Sequence, residues 1–223
     1  MRADDLGNAD EQAAEDTADR SVGTLELFFD LVFVVAVSIA SVQLHESLTE
    51  AHVVDGLVSY ALIFFAIWWA WMNFTWFATS FGTDDWLYRL LTIVQMAGVL
   101  ILAAGIQPLF ADGDFTLAVA GYVVMRVGLV AQWIRASISN PDLRRTTLTY
   151  AVGVTVMQIL WIATLPLEGT ARYVVVPLLV AGEISVPVLA ERQRALPWHP
   201  HHITERYGLF TLILLGESLL ASS

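Results

Sequence analysis

The chain has 223 residues, of which 57% are hydrophobic and 15% are charged. A soluble domain carries roughly 25% charged residues, so too few remain here to coat a water-exposed body. The net charge of −11 argues against nucleic acid as a partner, and the lack of cysteine excludes disulfides and thiolate chemistry.

Residues 1–22 come first, as an acidic, disordered tail. Seven carboxylates fall between Asp4 and Asp19, and no basic, apolar signal sequence precedes them. Residues 23–223 then read as one membrane domain. The first predicted helix runs Leu25–Leu44, with Thr24 as its cap and Glu26 in the first turn. The second covers Val53–Ala78 and holds Trp68, Trp69, Trp71 and Trp76. The third covers Leu87–Phe110, capped by Asp84 or Asp85. Its Gly98 and Gly105 allow close helix approach, and Pro108 marks its end. The fourth covers Phe115–Ser137 and the fifth Arg145–Leu165. The sixth, Thr170–Ala190, is interrupted by Pro177 and Pro187. A seventh starts near Tyr207 and is still apolar at Ser223. The fold class expected is an all-α polytopic transmembrane bundle, six full helices plus the start of a seventh. The chain is expected to be incomplete at its C-terminus.

All 11 basic residues are arginine, against 22 acidic ones. This lysine-free, acid-rich composition suggests a high-salt cytoplasm, as in a halophilic archaeon. Counted over six spans, nine arginines (Arg2, Arg20, Arg89, Arg135, Arg144, Arg145, Arg192, Arg194 and Arg206) fall on one side. Arg172 falls on the other. The positive-inside rule then places the N-terminus in the cytoplasm and the protein in the cell membrane as a multi-pass chain.

Charged groups within apolar segments are the candidate functional sites, because hydrocarbon solvates them poorly. Asp30 lies one turn beyond Glu26, on the same helical face. A carboxylate facing a cavity there binds a cation, exchanges a proton or pairs with an arginine. Arg126 lies inside a predicted span and cannot escape by deprotonation. Asp30, Glu183 and Glu217 are its candidate partners, with the choice open. Glu183 sits between two prolines, a pattern that recurs at transporter ion sites. Asn73, Gln95, Gln107, Gln132 and Gln158 read as glue between helices. His199, His201, His202 and Glu205 make a weak zinc pattern broken by Pro200, so no metal or cofactor is expected. Capping, or interhelical pairing by Glu205 and Arg206, is the plainer reading. No phosphate-binding glycine loop or serine nucleophile elbow is present, and no enzymatic activity is expected.

Three blocks together resemble the low temperature requirement A (LtrA) family of membrane proteins. They are Thr24-Leu-Glu-Leu-Phe-Phe-Asp-Leu-Val-Phe33, then Trp69-Ala-Trp71 with Phe74-Thr-Trp76, Phe81 and Asp84-Asp85, and finally His202-Ile-Thr-Glu-Arg-Tyr-Gly-Leu-Phe-Thr211 with Leu-Gly-Glu217. The resemblance covers nearly all of the chain past residue 20 but only the front half or so of a typical member. It implies that Glu26, Asp30, His202, Glu205, Arg206 and Glu217 carry the family's polar signature. A looser likeness, to a potassium-channel family with Arg-x-x-x-Phe-Ser-Asp in its first helix, meets Thr24 and Phe29 where the arginine and serine fall. The expected function is a transporter or channel in which Asp30 and Glu26 handle a proton or cation and Arg126 balances buried carboxylates. The alternative is a non-transporting sensor, scaffold or accessory protein in cold or stress tolerance. Expected partners are the lipid bilayer and further copies of the chain.

Overall fold

A computed structural model describes residues 23–83, 85–167, 170–197 and 200–221, with backbone alone at 170, 172–173, 200–202 and 217–221. Among these the chain is helical throughout, without strands. The helices are α1 (Thr24–Thr49), α2 (Val53–Phe81), α3 (Trp86–Ala104), α4 (Ile106–Asp112), α5 (Thr116–Ser139), α6 (Arg144–Ala163), α7 (Thr170–Glu191) and α8 (Pro200–Ala221). Six spans are long and apolar enough to cross a membrane, α3 and α4 together forming one of them. The protein is a multi-pass membrane protein.

One face of each span packs inward while the other remains apolar. On α1, Phe29, Phe33, Ala36, Val37 and Ala40 are buried, and Leu27, Leu31, Val35, Ile39 and Val42 are exposed. That second stripe recurs every three to four residues and fits lipid, not water. The tightest packing joins α3 to α5. A Cβ placed on Gly98 would lie 2.6 Å from the backbone nitrogen of Met125, and one on Gly121 would strike the backbone of Leu102. Small residues let the two backbones touch, as membrane helices without a hydrophobic driving force require. Gln95 Nε2 donates to Gln132 Oε1 (2.9 Å) across the same contact, and Gln132 Nε2 reaches Thr92 Oγ1 (3.3 Å). The α1 helix packs on α2, α3 and α8, whereas α7 packs chiefly on α6.

Several predicted boundaries move. Gly23, without a side-chain cap, stands before α1 in place of Thr24. The third predicted helix divides at Gly105, and Pro108 falls in the first turn of α4, where its missing N–H costs no hydrogen bond. The last helix begins at Pro200, seven residues earlier than its apolar run, because proline suits a helix start. Its described residues form a 22-residue helix. Asp85 is the cap of α3, accepting from the Tyr88 N–H at 2.8 Å. Its other predicted cap, Asp84, lies outside the described residues, as do the tail and His199.

Candidate functional site

Among the described residues two ion pairs are buried in this bundle, and α2 serves both. Its Trp69 and Trp71 stand two residues apart, hence about 200° around the helix axis. Their indoles therefore face opposite neighbours. Trp71 Nε1 donates to Asp30 Oδ1 on α1 (2.7 Å), and Trp69 Nε1 donates to Glu183 Oε2 on α7 (3.0 Å).

The first pair is Asp30 with Arg206. Arg206 Nη2 donates to Asp30 Oδ1 at 2.5 Å, and the two side chains are 1% and 0% exposed. Glu26 stands at the edge of the same cluster, with Oε2 3.9 Å from Arg206 Nη1. Aromatic rings wall the pair. The guanidinium carbon lies 5.9 Å from the centre of Trp71 and 5.8 Å from that of Phe74. Phe210 stacks on Trp71 at 4.2 Å, and Phe29 stacks on Phe74 at 3.9 Å. Helices α1, α2 and α8 are thereby tied together around one charge pair, in the dry setting where such contacts are strongest.

The second pair is Arg126 with Glu183, 3.6 Å apart and each 1% exposed. Arg126 Nη2 also donates to the hydroxyl of Tyr122, one turn earlier on α5, and its guanidinium lies 4.6 Å above that ring. Gln158 on α6 approaches Glu183 Oε1 at 3.4 Å. Four helices thus converge on one carboxylate. Arg126 Nε and Nη1 make no hydrogen bond among the described residues. Glu183 stands four residues before Pro187, which has no N–H to offer the Glu183 carbonyl. The charge therefore sits where α7 is weakest.

The second pair lies between two crevices, lining neither, with Tyr122 facing the first and Pro187 the second. Toward the N-terminal end of α5, a crevice of about 730 Å³ is lined by Leu62, Phe65, Val119, Tyr122, Trp161 and Val176, among others. Toward its C-terminal end, one of about 640 Å³ is lined by Asn73, Trp76, Trp133, Tyr150, Pro187 and Glu191. Along each of the four helices the order is the same. First crevice, ion-pair cluster and second crevice follow as Leu62, Trp69, Asn73 on α2 and as Tyr122, Arg126, Trp133 on α5. Running back along α6 the order is Trp161, Gln158, Tyr150, and along α7 it is Val176, Glu183, Glu191. Neither crevice is lined by α1 or α8.

The remaining predicted positions lie elsewhere. Arg206 makes an interhelical pair, with Asp30, whereas Glu205 is exposed on α8. The side chains of His202 and Glu217 lie outside the described residues. At the C-terminal end of α5, Arg135 forms a two-pronged contact with Asp85, with Nη1 donating to Oδ1 at 3.0 Å. That contact, helped by the Tyr88 N–H, lowers the Asp85 pKa to about 2. Sequence reasoning overlooked Trp69, Trp71 and Tyr122 as partners of charge. The two-residue offset of the tryptophans, and the four-residue offset of Tyr122 from Arg126, were the available signals.

The fold and these pairs define a polytopic helical membrane protein with charges enclosed in its interior. Residues 21–223 match the family model described as bacterial low temperature requirement A protein (LtrA), and the chain belongs to that family. It is 29% identical over 236 residues to a protein of Rhizobium meliloti (strain 1021) whose printed name is "Uncharacterized protein RA0937". That alignment takes in 92% of this chain and 51% of the relative, so the chain spans about half the length of the curated relative it matches. No solved structure matches it.

Proposed function

We propose that this LtrA protein is a cell-membrane transporter, non-enzymatic, whose gate is the Arg126–Glu183 pair. The observation that carries the reading is the position of that pair between two crevices, on the four helices that line both. With the N-terminus cytoplasmic, as the arginine distribution favours, the crevice at Val119 opens outward and the one at Glu191 opens inward. Glu183 is the proton-handling group. Protonating it removes the charge that holds Arg126 and weakens the join between α7 and α2. The proline-weakened α7 then has two packings, and the protonation state chooses between them. Asp30 with Arg206 belongs, in this reading, to the fixed part of the molecule. The closed aromatic wall around it favours a structural lock over the ion-handling role its sequence position suggested.

Proton flux into liposomes holding the full-length protein tests the reading. Glu183→Gln is expected to abolish pH-driven flux while leaving the helical content intact. Flux equal to wild type in a folded Glu183→Gln protein would refute the gate.

A further inference from the structure

We infer that the crevice between α2 and α7, on the Val119 side, binds a water-borne hydrophobic carboxylic acid, with its carboxylate received by Arg126. The inference rests on the gate reading and names what passes it. The crevice is open to its surroundings, and its empty space of about 730 Å³ includes that open side. Its wall is nearly all apolar, from Leu62, Phe65, Leu102, Val119 and Val176. Its polar landmark is Tyr122, whose hydroxyl accepts from Arg126. Behind that ring stands a guanidinium with Nε and Nη1 unmatched, while a planar fork suits a carboxylate. The lining includes Phe115, Thr164 and Leu165, which flank the ends of α5 and α6. One end of the crevice therefore reaches the level of the span ends, which favours entry from water over entry by a lipid tail.

Charge conservation links this ligand to the proton. The pair in place is one guanidinium cation and one carboxylate anion, of zero net charge. An acid entering in its neutral form can pass its proton to Glu183. Its O–H bond breaks and a new O–H bond forms on the Glu183 carboxylate. The ligand, now an anion, replaces Glu183 on Arg126. One proton has moved, no electron has, and the buried net charge is still zero, so the exchange adds no uncompensated charge to a dry site. The charged and titratable groups that face Glu183 are Arg126 and Tyr122, both from α5. Trp69 from α2 and Gln158 from α6 offer it hydrogen bonds without titrating.

Binding of radiolabelled octanoate to the full-length protein in nanodiscs, without any gradient, tests the inference. Saturable binding is expected, displaced by unlabelled octanoate but not by octylamine or octanol. Arg126→Gln is expected to weaken it by about ten- to a hundredfold. Val119→Trp, which fills the crevice without touching the ion pair, is expected to abolish it, and it decides the matter if Arg126→Gln does not fold. Equal competition by the three head groups, or unchanged binding in folded Val119→Trp, overturns the inference. So does displacement by oleate placed in the bilayer without any octanoate binding, since the occupant is then a lipid. Octanoate binding without proton flux would leave the ligand site standing and sink the gate. Proton flux without octanoate binding would do the reverse.

Discussion

The two buried ion pairs share a helix, a tryptophan donor each and near-complete burial, yet they stand in opposite surroundings. Asp30–Arg206 is enclosed by Phe29, Phe74, Trp71 and Phe210, and its hydrogen bond is short. Arg126–Glu183 is longer at 3.6 Å, lies along its helices between two crevices and rests on a proline-weakened helix. The difference teaches that burial alone does not mark a functional charge in a membrane protein. What separates a lock from a gate is whether the charge has somewhere to go when its partner lets go.

Breaking the lock should have the largest effect. Arg206→Met leaves Asp30 charged without its partner, and loss of one member of a buried pair costs about 3–5 kcal/mol. The expected result is a collapse of thermal stability in detergent. Adding Asp30→Asn should restore most of it, because the stranded charge is gone. If Arg206→Met melted like wild type, the lock would be no lock.

A similar loss, smaller by degree, is expected from bulk at the α3–α5 contact. Gly121→Leu drives a side chain into the Leu102 backbone, and overpacking costs about 1–3 kcal/mol or more. It tests the fixed part of the molecule by a route free of charge. Trp71→Phe removes one hydrogen bond to a carboxylate, about 1.5–3 kcal/mol. Trp69→Phe removes the matching bond on the other side of α2. The account predicts different readouts for the two. Trp71→Phe lowers stability and leaves flux per folded molecule alone, while Trp69→Phe changes flux more than stability. Reversal of that pattern, by melting curves and liposome flux, would exchange the two assignments.

The smallest effect lies at the surface. The folded pKa of Asp85 is about 2, against an ordinary 3.8. A lowered carboxylate pKa contributes stability that is complete above the ordinary value and is lost as pH falls through about 2. Asp85→Asn should therefore lower stability modestly at neutral pH and flatten the acid limb between about pH 4 and pH 2, where the two proteins converge. Added salt should shrink the difference.

Much of this was legible in the sequence because a bilayer constrains so strongly. Long apolar runs fixed six spans, and charges inside them singled out Asp30, Arg126 and Glu183. The arginine's partner stayed open, since pairing between α5 and α7 depends on how helices rotate, which an apolar stripe on lipid does not specify. The partner of Arg206 stayed open for a related reason. Its sequence position suggests capping or pairing between helices, but not that Asp30, 176 positions away, faces it. The crevices could not be read at all, because they are gaps between four helices and no residue type signals a gap.

The account's central claim is that Glu183 separates two compartments and Asp30 does not. Since this chain has no cysteine, Val119→Cys and Val188→Cys can each be labelled with a membrane-impermeant maleimide from either face of sealed vesicles. The account predicts that Glu183→Gln shifts the ratio of labelling at the two positions and that Asp30→Asn, where folded, leaves it unchanged. A ratio indifferent to Glu183→Gln would contradict it.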